Sequence, residues 1–282
     1  MRKRWSSTVR IMISIMLTNI LIAAFVGLLL LFGRFDDIQT NFYFAHTIYT
    51  AMGVLNTLLI FWLFLKVDKQ NPWKLGFGIK GKDFAFVGAA IPLSFAVVLL
   101  FIWILDRLGI VTAEFHFEKV LSGSFYQVVS IAAVSYFFAA LKEEVLARGY
   151  FLANLQRFSI PKAILISSLL FMALHFVMGD LDPFKAASWF KGGIVYAYIY
   201  IKSGSLTVST IVHAVHNLVN DLVIHGAEGA LVLLTTKVTT ADKLFYEIAL
   251  GTLLLVLTYI FYGKNGVFTP AENIKQLWRN VK

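Results

Sequence analysis

Ile11–Phe32 and Phe84–Leu105 each run for 22 residues without a charged side chain. A helix needs about 20 apolar residues to cross the hydrocarbon core of a bilayer. Runs of that length and purity do not suit one soluble core, so they commit the chain to a membrane. Phe44–Leu65 is a third such run, and Leu244–Tyr262 is a fourth despite Glu247. Four others are interrupted. Ser124–Leu141 continues helically into Lys142, Glu143 and Glu144; Ala163–Met178 holds His175; Trp189–Ile201 is short and holds Lys191; Leu206–Ile224 is rich in His and Asn. The expected fold is therefore all-α: a polytopic integral membrane helical bundle of about eight transmembrane helices. Composition agrees, with 59% hydrophobic and only 15% charged residues, where soluble domains hold about 45–50% and 25%.

Lys and Arg gather on the cytoplasmic side of membrane proteins. Here the N-terminus, every second loop and the tail, with Arg148 and Lys202 counted, hold 17 Lys and Arg, and the intervening loops hold 6. The alternation predicts a multi-pass protein of the plasma membrane with both termini cytoplasmic. It also explains the net charge of +9 as topology, so no nucleic-acid partner is expected. The first run follows basic residues, as a secretory signal would, but it is too long and lacks a small-residue cleavage site. It is expected to stay as a helix. The chain has no cysteine, which excludes disulfides, thiol catalysis and cysteine-ligated metals.

Ionisable side chains inside spans are costly and mark function by default. They fall in three places, all in the second half of the chain. The first is Lys142-Glu143-Glu144-x-x-x-Arg148. On a helix Glu144 and Arg148 are four apart and can pair, whereas Glu143 is turned about 100° away and is left free to act. A solvated helix end would also account for these charges. The second is His175 after Phe171; a lone His on an apolar helix can equally be an interhelical hydrogen bonder. The third is the set His213, His216, Asn217, Asn220 and Asp221. These fall in one stripe about 140° wide, which suits polar glue or a transport lining as well as a site.

Depth joins the three. Glu143 and His175 each lie 16 residues from Ser159, in the turn ahead of Pro161, which places both about 20 Å from that turn at ~1.5 Å per residue. His213 and Asn217 follow the Lys202–Ser205 turn by a similar depth. A carboxylate with a His can hold and deprotonate water, and a His and an Asn one turn apart can donate to an oxyanion. That set fits hydrolysis of an amide or ester without a Ser or Cys nucleophile. Equally, Glu143, His175 and His213 could ligate Zn2+ with one position open. The residues themselves leave open whether the cofactor is zinc or none.

At these positions the chain resembles the CAAX prenyl protease and bacteriocin-processing family (CPBP, or Abi, proteins). The resemblance lies in Glu143-Glu144-x-x-x-Arg148, Phe171-x-x-x-His175 and His213-x-x-x-Asn217, in that order, together with Arg148-Gly149 and Lys202-Ser-Gly-Ser-Leu206. It implies a membrane-embedded endopeptidase, of metallo- or glutamate type, that cuts a membrane-associated or lipidated peptide. It implies that Glu143 and His175 activate water and that His213 and Asn217 stabilise the oxyanion, with Glu144 and Arg148 supporting the site. The expected organisation is an N-terminal transmembrane scaffold (1–123), a catalytic helical core (124–225), and a C-terminal helix with a cytoplasmic tail (226–282). The alternative function class is a non-enzymatic immunity or scaffold protein, or a carrier that uses the polar stripe.

Overall fold

The computed structural model describes residues 6–176, 182–224, 229–236 and 238–279. Arg2, Lys3, Arg4, Met178, Lys237 and Lys282, which entered the readings above, lie outside them. Eight helices of 17 residues or more stand, among the described residues, where the sequence expects spans. They are α1 (Ser7–Leu31), α2 (Phe42–Lys66), α3 (Gly81–Arg107), α4 (Gly123–Asn154), α5 (Ile160–Phe176), α6 (Pro183–Ser203), α7 (Leu206–Val223) and α8 (Thr240–Tyr262). Five of these, α1 to α4 and α8, are long and apolar enough to cross a membrane. The chain is an integral membrane protein.

Local chemistry sets the helix starts. Ser6, Asn41, Ser122, Asp182, Ser205 and Thr239 each accept a backbone N–H from the first turn of the helix they precede, as N-cap side chains do. Asp182 and Pro183 explain why α6 begins six residues before the apolar run at Trp189: an acceptor at the cap and a proline in the first turn start a helix regardless of hydropathy. Gly204, with φ of 73°, ends α6 in the left-handed conformation that closes many helices.

Helix α6 packs between α5 and α8, while α7 packs against α4 and α3, and α2 lies along α4. Gly193 of α6 lies so close to α5 that a Cβ there would come within 2.7 Å of Ser168 Cβ; small residues at such crossings let membrane helices approach. Met12, Met16, Ile20 and Leu30 on α1, and Phe245, Ile248, Val256 and Ile260 on α8, are exposed. A lipid environment accommodates those faces at no cost, because lipid tails are as apolar as the side chains.

Three features differ from the sequence expectation. A short antiparallel ribbon joins β1 (Ala113–Phe115) to β2 (Val232–Leu234), with Glu114 opposite Leu233. It ties the α3–α4 loop to the α7–α8 loop, and no run of three residues announces that. Second, Val145–Phe151 within α4 is a π-helix, whose bonds close i→i+5. Third, Arg148 and Lys202 are not loop charges. Arg148 is buried beside Glu144, and Lys202 donates to the carbonyls of Gly266 (2.7 Å) and Thr269 (2.9 Å), tying the α6 end to the C-terminal segment. Removing both leaves 15 loop Lys and Arg on the basic side against 6, so the alternation persists.

Candidate active site

Helices α4, α5 and α7 deliver the residues singled out in the sequence to one place. Glu143 Oε2 lies 3.9 Å from His175 Nε2 and 3.8 Å from His213 Nε2. Asn217, one turn beyond His213 on α7, lines the same polar cavity of about 230 Å³. His216 and Asn220 of the stripe also line it; Asp221 does not. Glu143 and His175 remain partly open, whereas His213 is buried.

Hydrogen-bond partners fix the proton positions. His175 Nδ1 sits 2.8 Å from the carbonyl of Phe171. A carbonyl can only accept, so Nδ1 carries the proton and Nε2 of the neutral ring presents its lone pair toward Glu143. His213 Nδ1 sits 2.9 Å from Glu144 Oε1, so it too is the protonated nitrogen. Trp189 stacks on His175 at 4.9 Å, and Tyr196 stacks on His213 at 4.3 Å and 14°. Both imidazoles are therefore held by one hydrogen bond and one ring face.

Glu144 is fully buried and has a partner on each oxygen. Oε1 faces Arg148 Nη1 and His213 Nδ1, both at 2.9 Å, and Oε2 accepts from Ser209 Oγ at 2.5 Å. The Arg148 pair is close in distance but not aligned for a hydrogen bond; the guanidinium instead donates through Nη2 to Gly192 and Gly193 and lies 4.4 Å above the Phe171 ring. The i, i+4 spacing foretold the Glu144–Arg148 pair. It did not foretell that Glu144 also orients His213, because that contact joins α4 to α7. Glu144→Ala or Arg148→Ala should destabilise the fold by about 3–5 kcal/mol, since half of a buried ion pair leaves the other charge uncompensated. Thermal unfolding in detergent checks this; midpoints equal to wild type would remove the pair from the structural core.

A second chamber opens on the other side of Glu143. It has a volume of about 260 Å³ and an apolar lining that includes Ile22, Ile60, Leu146 and Leu174. Glu143, Phe171, His175 and Trp189 belong to both chambers, so they form the wall between them. Thr18 of α1 and Asn56 of α2 also face the apolar chamber. Both side chains are buried, and Thr18 Oγ1 and Asn56 Oδ1 have no hydrogen-bond partner among the described residues. The sequence reading takes residues 1–123 as scaffold and gives none of them a part in the site. The polar pairs Thr18-Asn19 and Asn56-Thr57 inside long apolar runs were the signal.

Reading α8 as a plain span also passed over Glu247. Its carboxylate enters the polar chamber, where it pairs with Lys191 and accepts from His216 Nε2 at 2.9 Å. A carboxylate in a span is itself a sign of function.

The three candidate metal ligands, Glu143, His175 and His213, have suitable donor chemistry. Each imidazole has its Nδ1–H engaged by an oxygen, as metal-binding histidines do. Their arrangement is wider than a zinc site. Separations of 3.8 and 3.9 Å exceed the ~3.4 Å edge of a tetrahedron built on 2.0–2.1 Å bonds. Among the described residues no group of three His, Cys, Asp or Glu side chains is arranged to hold a metal ion.

Residues 125–219 match the model of a protein family described as type II CAAX prenyl endopeptidase, Rce1-like. The match spans α4 to α7 and agrees with the resemblance seen in the motifs there. The matched segment contains Glu143, Glu144, Arg148, His175, His213 and Asn217, and it ends before Glu247. A search of curated proteins and a search of solved structures each gave no match.

Proposed function

We propose that this protein is an intramembrane endopeptidase of the CAAX-protease kind, in which Glu143 and His175 activate a water molecule. The observation that carries the reading is the convergence of Glu143 Oε2 with two imidazole Nε2 atoms at 3.8–3.9 Å. The gap is too wide for direct hydrogen bonds and suits a bridging water. Glu143 accepts a proton from that water while His175 Nε2 holds it in place. The hydroxide oxygen adds to the substrate carbonyl carbon, and the former carbonyl oxygen becomes an oxyanion. Glu143 then returns its proton to the leaving amine as the C–N bond breaks.

The oxyanion is assigned to His213 and Asn217. Because Nδ1 of His213 is committed to Glu144, its Nε2 can donate only when the ring is an imidazolium. Glu144 at 2.9 Å and Glu143 at 3.8 Å stand on either side of that ring. The Asn217 amide supplies the second donor from the same helix. The apolar chamber fits an extended peptide with apolar side chains, and a side-chain rotation of Thr18 or Asn56 in its lining would bring a partnerless polar atom to the peptide backbone. The bilayer delivers such a substrate as a membrane-associated or lipidated peptide.

The test is cleavage of membrane-associated peptides, prenylated and unmodified, by purified protein with and without a chelator. Wild type that binds these peptides and never cleaves them would return the chain to the non-enzymatic class. Asn56→Leu tests the chamber. Asn56 Oδ1 is buried without a partner, so the variant should melt at or above the wild-type temperature. It should raise KM about 3–10-fold, the worth of one hydrogen bond of 0.5–1.5 kcal/mol. An unchanged KM would remove Asn56 from substrate contact. From the charge alternation we expect both termini in the cytoplasm; a reporter fused at the tail that reads outside would refute this.

A further inference from the structure

Glu247 lies on α8, beyond the segment that matches the family. It is buried, and its surroundings are built from three helices. One oxygen pairs with Lys191 of α6; the other accepts from His216 Nε2 of α7 at 2.9 Å, with the Tyr246 hydroxyl at 3.1 Å. A carboxylate accepts only, so His216 carries its proton on Nε2. In the neutral ring Nδ1 then accepts, and the partner at 2.9 Å is the Tyr196 hydroxyl. The phenol is thereby given a fixed direction. The ring that bears it is the one stacked on His213 at 4.3 Å.

The chain of contacts therefore runs from Glu247 through His216 and Tyr196 to His213. Each member along it lines the polar chamber that Glu143 and Asn217 also face. The two imidazoles are held in opposite senses: Nδ1–H for His213 and Nε2–H for His216. A helix pair joined only for stability would not need a defined tautomer at His216. A buried Lys–carboxylate pair is in any case often no better for stability than apolar residues of the same size.

We propose that Glu247 is a positioning residue of the active site. It fixes the His216 tautomer, which orients Tyr196, whose ring holds the imidazole plane of His213 toward Glu143. Helix α8 is then part of the catalytic unit. This rests on the endopeptidase reading, and the test separates the two.

Two neutral pairs are compared with wild type: Lys191→Met with Glu247→Leu, and Lys191→Met with Glu247→Gln. Neither leaves an unpaired buried charge. The Leu pair should lower kcat about 10–100-fold, as loss of an outer-shell partner does, with KM unchanged. The Gln pair keeps an oxygen for His216 and should recover most of that loss. Nitrogen NMR of the imidazoles should show His216 Nδ1 unprotonated in wild type and in the Gln pair, and the tautomers mixed in the Leu pair. Tyr196→Phe covers the case of a Leu pair that does not fold. It should lower kcat several-fold and shift the His216 Nδ1 signal. Equal kcat in the two pairs, or a Tyr196→Phe variant with wild-type kcat and an unmoved His216 signal, would overturn the proposal. If wild type cleaves no peptide, the endopeptidase reading falls, and the imidazole spectra alone decide whether Glu247 sets the tautomer.

Discussion

Glu143→Gln should fold like wild type and lose about 10²–10⁴-fold in turnover, the range supplied by a general base. The two halves of that expectation have separate causes. Glu143 is partly open, and the nearest imidazole nitrogens stand 3.8–3.9 Å away, so no tight buried pair is broken. The Gln amide has nearly the same shape, and its oxygen can still accept from a water. What it cannot do is take the proton. KM should therefore hold while kcat falls, the pattern of an interaction that matters only in the transition state. Measuring both on one peptide, with thermal unfolding alongside, is sufficient. Full turnover in Glu143→Gln would end the assignment of the base. Glu144→Gln makes a useful contrast: there the lost charge faces Arg148 and His213 at 2.9 Å, so the melting temperature should drop as well.

That contrast was half legible in the sequence. Adjacent helical carboxylates cannot share a face, and Arg148 four residues on could serve only Glu144. Long apolar runs placed the helices, and the equal spacing of Glu143 and His175 about Ser159 put those two side chains level with each other. Contacts that join distant helices carried no such pattern. The Glu144–His213 bond, the Tyr196 ring on His213 and the Glu247 network each need the bundle's packing order, which periodicity along one helix does not encode. The π-helical turn at Val145–Phe151 is hidden for a related reason: its composition is that of any apolar helix, and the wider turn shows only in the backbone bonding. Arg148 and Lys202 misled in the opposite way, because basic residues near helix ends look topogenic whether they meet water or a buried carbonyl. Thr18 and Asn56 were visible as members of polar pairs in apolar runs, and Glu247 as the one charge in its run. Applying to every span the rule that buried polar groups need partners would have singled them out.

Asn217→Ala should lower turnover by about 10²–10³, the loss of one oxyanion donor, with little change in KM. The prediction turns on what His213 does, since the two residues act on the same oxygen. Nδ1 of His213 is protonated and bound to Glu144, so Nε2 either donates as part of an imidazolium or lends its lone pair to a cation. In the first case His213→Ala and Asn217→Ala both remove a donor. The double variant should then lose little beyond the worse single variant, because the two donors serve one developing charge. Elemental analysis should find no stoichiometric metal in wild type or variants, and a chelator should leave cleavage unchanged. In the second case Glu143, His175 and His213 must close from 3.8–3.9 Å to the ~3.4 Å edge of a zinc tetrahedron, and Asn217 has no ligand role. Wild type would then hold about one zinc per chain, which His175→Ala or His213→Ala would lose and Asn217→Ala would keep. The wider spacing, and the lack of any ligand role for Asn217, favour the first case. Zinc at one per chain, lost with either histidine, would reverse that choice while leaving Glu143 as the residue on which hydrolysis depends.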